Sequence, residues 1–223
     1  KRSLHFLFTG RPGPVWLDIP INIQSCIQDY NKIEKIYNAS CLNKINDYVH
    51  PNVATNYMLN RGSLNKDASY LISLLRKSKR PLILAGNGVR ISGTQDLFLR
   101  IVNNLKIPVV TGWNAHDLIP GKNKYNCGKP STVGDRAGNF AISNCDLLIV
   151  FGCRLNIRQI SYNWESFAKN AKIVMIDADK NEMNKVTLKI NKKMHYSLES
   201  FLPSLEELTK NFIAKKDHAY FLN

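Results

Sequence analysis

The chain is 223 residues long, 44% hydrophobic, and carries a formal net charge of +14. That length holds one large domain, or one domain with pieces of its neighbours, and the apolar share is enough for a proper core. The charge invites a nucleic-acid partner, but the lysines are scattered, from Lys66, Lys77 and Lys79 to Lys192 and Lys215, with no basic helix interleaved with aromatics, so they read as a solvated basic surface. No apolar run is long enough to span a membrane, no signal peptide is seen, and the five cysteines form no CxxC pair, with Cys145 and Cys153 flanking an apolar strand. A soluble, cytoplasmic protein without a membrane or nucleic-acid partner is expected. The first residue is Lys1 rather than Met, which suggests a piece cut from a longer chain.

In chain order, Leu4–Phe8 is a short apolar piece placed as a helix end, and the stiff turn Thr9-Gly10-Arg11-Pro12-Gly13-Pro14 stops it. Val15–Ile19 reads as a strand ended by Pro20. One helix end and one strand do not make a domain, so residues 1–21 are expected to be the remnant of a preceding one. Residues 22–61 are polar, asparagine-rich and broken by Pro51, and read as a linker with at most one short helix or strand.

From there the periods alternate. Asn65 can cap a helix carrying Leu64, Ala68, Leu71, Ile72 and Leu75. Leu82–Ala85 is a strand, followed by the glycine turn Gly86-Asn87-Gly88 with Gly93; Thr94 then caps a helix with Leu97, Phe98, Ile101, Val102 and Leu105 on one side. Ile107–Thr111 is the next strand, and Gly112–Val133 is irregular with Tyr125–Cys127 as a short strand. Gly134 or Asp135 starts a helix through Cys145, and Asp146–Phe151 is a continuous apolar run, as a strand buried on both faces requires. Asn163 can cap a helix bearing Trp164, Phe167 and Ala168; Ile173–Ile176 is a buried strand and Thr187–Ile190 a more polar one near an edge. A helix from about Ser197 to Phe212 closes the unit, with Pro203 placed in its first turn. Strand, helix, strand in alternation predicts an α/β fold: a Rossmann-like open parallel sheet of about six strands with helices on both faces. Residues 62–213 form this central domain, and 214–223 begin a linker to a further one.

In such a sheet ligands bind beyond the carboxyl ends of the strands. Reading outward from each strand gives Gly86, Asn87 and Gly88, then Gly112 and Trp113, then Gly152, Cys153 and Arg154, then Asp177, Ala178 and Asp179, with Gly134 opening a helix near the same edge. This convergence points to a nucleotide-sized groove. As a dinucleotide fingerprint the turn is incomplete: the third glycine position of G-x-G-x-x-G is Ile91, and no acid stands where a ribose ligand belongs, so the turn reads as fold-forming first. Arg154 can pair with a diphosphate or with an acidic side chain. Asp177 and Asp179 can accept from ribose hydroxyls or cap the next helix. His116 with Asp117 is half of an acid/base pair, and with no nucleophile placed by any motif no catalytic residue is assigned. No metal site is assigned either.

Gly10-Arg11-Pro12-Gly13-Pro14-Val15 with Asp18-Ile19-Pro20 resembles the close of the pyrimidine-binding domain in thiamine-diphosphate enzymes of the acetolactate synthase type. Arg80–Gly88, Asp146–Arg154 and Ile176–Asp179 resemble successive landmarks of that family's central domain, in the right order and spacing. The resemblance implies a six-stranded central domain that helps hold a homo-oligomer (dimer or tetramer) together and in some members carries FAD. It implies a full-length carboligase or decarboxylase acting on a 2-keto acid with thiamine diphosphate and Mg2+, which are held by parts of the family not matched here. This chain by itself is therefore expected to be catalytically silent. The FAD-contacting positions carried over are Gly86, Asn87, Gly88, Thr111, Gly112, Gly134, Gly152, Arg154, Asp177 and Asp179. The family's usual histidine before the glycine matching Gly134 is Val133 here, which leaves substrate and FAD retention open. Two readings from other classes stand beside it: a free-standing Rossmann-like nucleotide-binding module, and a basic nucleic-acid-binding protein that salt would release.

Overall fold

The computed structural model describes Ser3, Leu7, residues 13–38, residues 61–215 and His218. The chain divides into two units, Lys1–Met58 and Leu59–Asn223. In the first, residues 13–20 form neither helix nor strand, and α1 (Ile21–Gln24) and α2 (Tyr30–Asn38) follow. The expected strand Val15–Ile19 is not formed: the segment joins no ladder among the described residues, with Trp16 91% exposed and Leu17 66%. A lone strand has nowhere to send its backbone hydrogen bonds. Of the expected Leu4–Phe8 helix end only Leu7 is described, and it is helical. The expected linker carries two helices in its described part, more than the single short element anticipated; residues 39–60 lie outside the described residues.

The second unit starts with α3 (Arg61–Lys77), which begins four residues before Asn65, so that residue lies inside the helix rather than at its cap. Then come β1 (Pro81–Ala85), α4 (Gly88–Ile91), α5 (Gln95–Leu105), β2 (Val109–Thr111), α6 (Arg136–Asn144), β3 (Leu147–Phe151), α7 (Ile157–Ile160), β4 (Lys172–Asp177), α8 (Lys180–Met183), β5 (Lys192–His195) and α9 (Leu198–Thr209). The five strands are parallel throughout, in the order β2-β1-β3-β4-β5. The expected short strand Tyr125–Cys127 makes one parallel bridge beside β2: Val109 N donates to Tyr125 O at 2.7 Å and Cys127 N to Val109 O at 2.8 Å. The α/β, Rossmann-like reading holds.

Side chains alternate across each strand. Ile83, Ala85, Ile149, Phe151, Val174 and Ile176 pack with α3, α5 and α9, where Phe98 meets Phe151 edge to face at 6.0 Å. Leu82, Leu84, Leu148, Val150, Ile173 and Met175 pack on the other face with Ala141 and Ile142 of α6, Leu155, Ile160 and Met183. One face is thus roofed by three long helices, the other by a nine-residue helix and shorter pieces. At the end of the unit Phe212 and His218 are buried, and His218 Nε2 donates to Ser78 O at 3.0 Å.

Four expectations need correction. Thr94 precedes α5 but its hydroxyl donates to Val89 O at 3.2 Å instead of capping the helix. The helix expected after Asn163 is a 3-10 turn, Trp164–Ser166, because Phe167 is extended and Ala168 takes φ +47°. The edge strand falls at Lys192–His195 and not at Thr187–Ile190. Pro203 sits inside α9 rather than in its first turn, on the exposed side, where the burial of Leu198, Phe201, Leu202 and Leu205 outweighs the missing amide.

Candidate functional site

β1 has β2 on one side and β3 on the other, so the chain reverses its direction of travel across the sheet there, and the turns after β1 and β3 stand side by side at the carboxyl edge. They interlock through their backbones. Gly86 N donates to Phe151 O at 2.8 Å and Gly88 N to Gly152 O at 3.0 Å. A Cβ on Gly86 would stand 2.5 Å from Cys153 Cα, and one on Gly88 2.7 Å from Gly152 Cα, so neither position admits a side chain. Gly152 itself takes φ +53° and donates from its amide to Ile176 O at 3.0 Å. The two glycine amides that would face a phosphate in a fingerprint loop are therefore spent on β3, and α4, four residues long, offers no extended helix dipole behind them.

Around this seam the other expected residues fall as follows. Asn87 Oδ1 accepts from Arg90 Nη1 at 2.5 Å; Arg90 also donates to Asn114 O at 3.1 Å and pairs with Asp117, closing the turn against the post-β2 loop. Thr111 is 1% exposed and its amide donates to Gly128 O at 3.1 Å; Gly112 N donates to Ala85 O at 2.8 Å. Arg154 Nε donates to Glu182 Oε1 at 2.8 Å, with its side chain 53% exposed, and Lys185 pairs with the same carboxylate. Asp177, at the end of β4 and buried, accepts from Asp179 N at 2.9 Å, and Asp179 accepts from Asn181 N at 2.9 Å as the cap of α8. Gly134 lies farther round, folded against Lys129–Ser131 at the start of the Asp135-capped α6. Gly86–Gly88, Gly112, Gly152–Arg154 and Asp177–Asp179 thus gather at the ends of four adjacent strands, and Gly134 joins through the turn bonded to Thr111.

For a dinucleotide the fit is uneven. Gly86 and Gly112 are buried and the space beside Gly86 and Gly88 is filled by the Gly152 turn, so a cradle of glycine amides is not there, while the Arg154 side chain stays half exposed and can meet an anion. The acid/base pair is also dismantled: Asp117 is taken by Arg90, and among the described residues no hydrogen bond joins it to His116. Burial and then the nearby Lys129 charge lower the His116 pKa, against the pull of Asp135 and Asp117. Cys153, packed under the rim, has its thiol pushed up to about 11, first by burial, so it is held as a neutral apolar filler.

Several residues escape a reading of the sequence. Asp135 binds Gly138 N at 2.6 Å and Lys129 N at 2.8 Å, tying α6 to the preceding turn; its role as cap is visible in the sequence, its second partner is not. Arg158 lies over the Trp113 ring at 5.7 Å, a cation–π pair that leaves Trp113 39% exposed at the rim. Gln159, 4% exposed, is bonded to two separate loops. Its signal is the Asn156-x-x-Gln159 spacing of a capping box, and Asn156 Oδ1 does accept from Gln159 N at 3.2 Å, but the side chain reaches elsewhere.

Comparison with known proteins gives a family. Residues 68–205 match the model of the thiamine pyrophosphate enzyme central domain. The chain is 33% identical over 185 residues to a probable acetolactate synthase large subunit of Methanocaldococcus jannaschii, covering 83% of this chain and 29% of that protein. It is 34% identical over 184 residues to the probable counterpart of Methanococcus aeolicus, covering 79% of this chain and 27% of that protein. It is 30% identical over 203 residues to the acetolactate synthase large subunit of Lactococcus lactis, covering 91% and 32%. The chain therefore spans under a third of the length of these curated relatives.

Proposed function

The chain belongs to the thiamine pyrophosphate enzymes, as a central domain of the acetolactate synthase type, and on that premise we propose that it is the scaffold and groove-bearing part of a 2-keto acid carboligase or decarboxylase. The observation that carries this is the gathering of Gly86–Gly88, Gly112, Gly152–Arg154 and Asp177–Asp179 at the carboxyl ends of β2, β1, β3 and β4. Thiamine diphosphate with Mg2+ supplies the chemistry in such an enzyme, stabilising the carbanion left by decarboxylation. No residue of this chain is assigned to either.

The groove takes FAD or a nucleotide of similar size, with Gly86, Asn87, Gly88, Thr111, Gly112, Gly134 and Gly152 shaping its floor, Arg154 meeting the diphosphate, and Asp177 and Asp179 bordering the ribose end. Residues 1–21 close a preceding pyrimidine-binding domain, a role supported by the exposed apolar side chains of Trp16, Leu17 and Ile19. Residues 22–61 link it to the central domain at 62–213, and 214–223 lead onward. The assembly is a homo-oligomer working in the cytoplasm, in keeping with Cys145 and Cys153 buried as thiols. Among the described residues no helix is long and apolar enough to cross a membrane.

Calorimetric titration of the chain with FAD, with ADP and NAD as controls, tests the groove. Saturable FAD binding that weakens in Arg154→Ala is expected. If none of the three binds, the groove is not a ligand site and the domain is a scaffold alone. For the wider activity, turnover of pyruvate or another 2-keto acid by an enzyme carrying this domain should vanish on removal of thiamine diphosphate and Mg2+; persistence would sink the assignment.

A further inference from the structure

We propose that Gln159 is a positioning residue of the rim: its buried amide ties the loop carrying Gly112 and Trp113 to the turn carrying Pro130 and Gly134, so that two walls of the groove keep one spacing. Its use in binding rests on the groove described above; the tie itself stands on geometry. Gln159 is 4% exposed, next to Ile160 at 3% exposed. Burying a primary amide is unfavourable unless both of its ends find partners. Here Nε2 donates to Pro130 O, and Oε1 accepts from Trp113 N at 3.3 Å. The two partners are backbone atoms of different segments.

The same turn of α7 adds a second seam. Arg158 O accepts from both Thr132 N and Thr132 Oγ1 at 3.0 Å, while the Arg158 guanidinium covers the Trp113 ring at 5.7 Å. Gln159 Oε1 also lies 3.4 Å from where a Cβ on Gly112 would stand, so the bridge fits closely against a residue that has none. α7 therefore holds both walls at once, and a ligand that spreads one wall must move the other. Fixing both before a ligand arrives removes the cost of ordering them on binding.

The test is amide hydrogen exchange on the whole chain for the wild type, Gln159→Met and Gln159→Glu, followed by titration with FAD. Methionine keeps the volume and removes both bonds; exchange at Trp113, Thr132 and Gly134 should quicken about tenfold or more, while Leu82–Ala85 in β1 stay as slow as before. With exchange followed at alkaline pH, where its carboxyl is ionised, glutamate keeps an acceptor for Trp113 N but offers no donor to Pro130 O, so Trp113 should regain its protection while Thr132 and Gly134 remain fast. That unequal rescue is what a merely space-filling side chain cannot give. Unchanged exchange at Trp113 in Gln159→Met, or quickening that spreads evenly through β1, overturns the tie. Should Gln159→Met not fold, equal protection of both walls in Gln159→Glu overturns it as well. If the wild type binds FAD, Gln159→Met should bind roughly tenfold more weakly, and equal affinity overturns the positioning role. If the wild type binds neither FAD, ADP nor NAD, the groove assignment fails while the exchange pattern still decides the tie.

Discussion

The two ends of the sheet are finished by opposite means. At the amino end a single carboxylate, Asp146, gathers the chain as it enters β1: it accepts from the Ser78 hydroxyl, from Lys79 N at 2.8 Å and from Arg80 N at 3.0 Å. At the carboxyl end the turns after β1 and β3 are joined through backbone, Gly86 and Gly88 lying directly on the Gly152 turn with the Arg90–Asp117 pair beside them. One carboxylate gathers the entry, and the removal of bulk lets the two exit turns close on each other. The exit is left with a close backbone contact that no side chain can enter, and the entry is left with a dependence on pH.

The contrast breaks most visibly at Gly86. Alanine there would press a methyl group into Cys153 Cα and the Gly152 carbonyl, backbone atoms that cannot rotate away, and should cost about 3 kcal/mol of folding stability. Urea denaturation measures it; an unchanged midpoint would mean that the seam is looser than its geometry. At the other end Asp146→Ala should cost roughly 2 kcal/mol, since the Lys79 and Arg80 amides lose a charged acceptor. The same denaturation series compares the two ends directly.

A smaller effect is expected from pH. Burial alone would raise the Asp146 carboxyl, but the hydrogen bonds from Ser78, Lys79 and Arg80 and the Arg80 charge outweigh it and hold the pKa below its ordinary value. A carboxylate lowered in the folded state contributes its full stability above the unfolded value, about 4, and loses it as pH falls through the folded one. Unfolding free energy should therefore drop more steeply below pH of about 4 in the wild type than in Asp146→Asn. Parallel curves would remove Asp146 as the clamp. The smallest change is expected at Arg154, half exposed on a Glu182 that keeps its second cation, Lys185: Arg154→Ala should alter stability by under about 1 kcal/mol while weakening the proposed FAD binding, separating that role from folding. A large stability loss would place Arg154 with the structural residues instead.

What the sequence makes legible follows the range of each interaction. Leu147–Phe151 and Pro81–Ala85 are buried on both faces, so an unbroken apolar run announces them. The Asp135 cap is visible because its partner Gly138 is three residues away. β5 is missed in place because only Met194 of Lys192–His195 is buried, and a lysine-rich border strand does not look like the interior ones. The expected helix after Asn163 had the right spacing of Trp164 and Phe167, but a backbone reversal at Ala168 carries no local mark. The candidate rim is legible as a set of strand ends and not as a network. Nothing near Gln159 in sequence points to Pro130 or Trp113, and nothing near Arg154 says that Glu182 will hold it.

The parallel order of the strands also bears on how the chain is made. Ile83 in β1 pairs with Val109 on one side and with Ile149 on the other. As the polypeptide leaves the ribosome, β2 can cover one border of β1 early, but the second border stays open until β3 has emerged and crossed back. Through that interval Leu82, Ile83 and Leu84 offer unsatisfied amides and a leucine-rich template to any other nascent strand. Polypeptides stalled between β2 and β3 should be the species that chaperones capture and that aggregates accumulate.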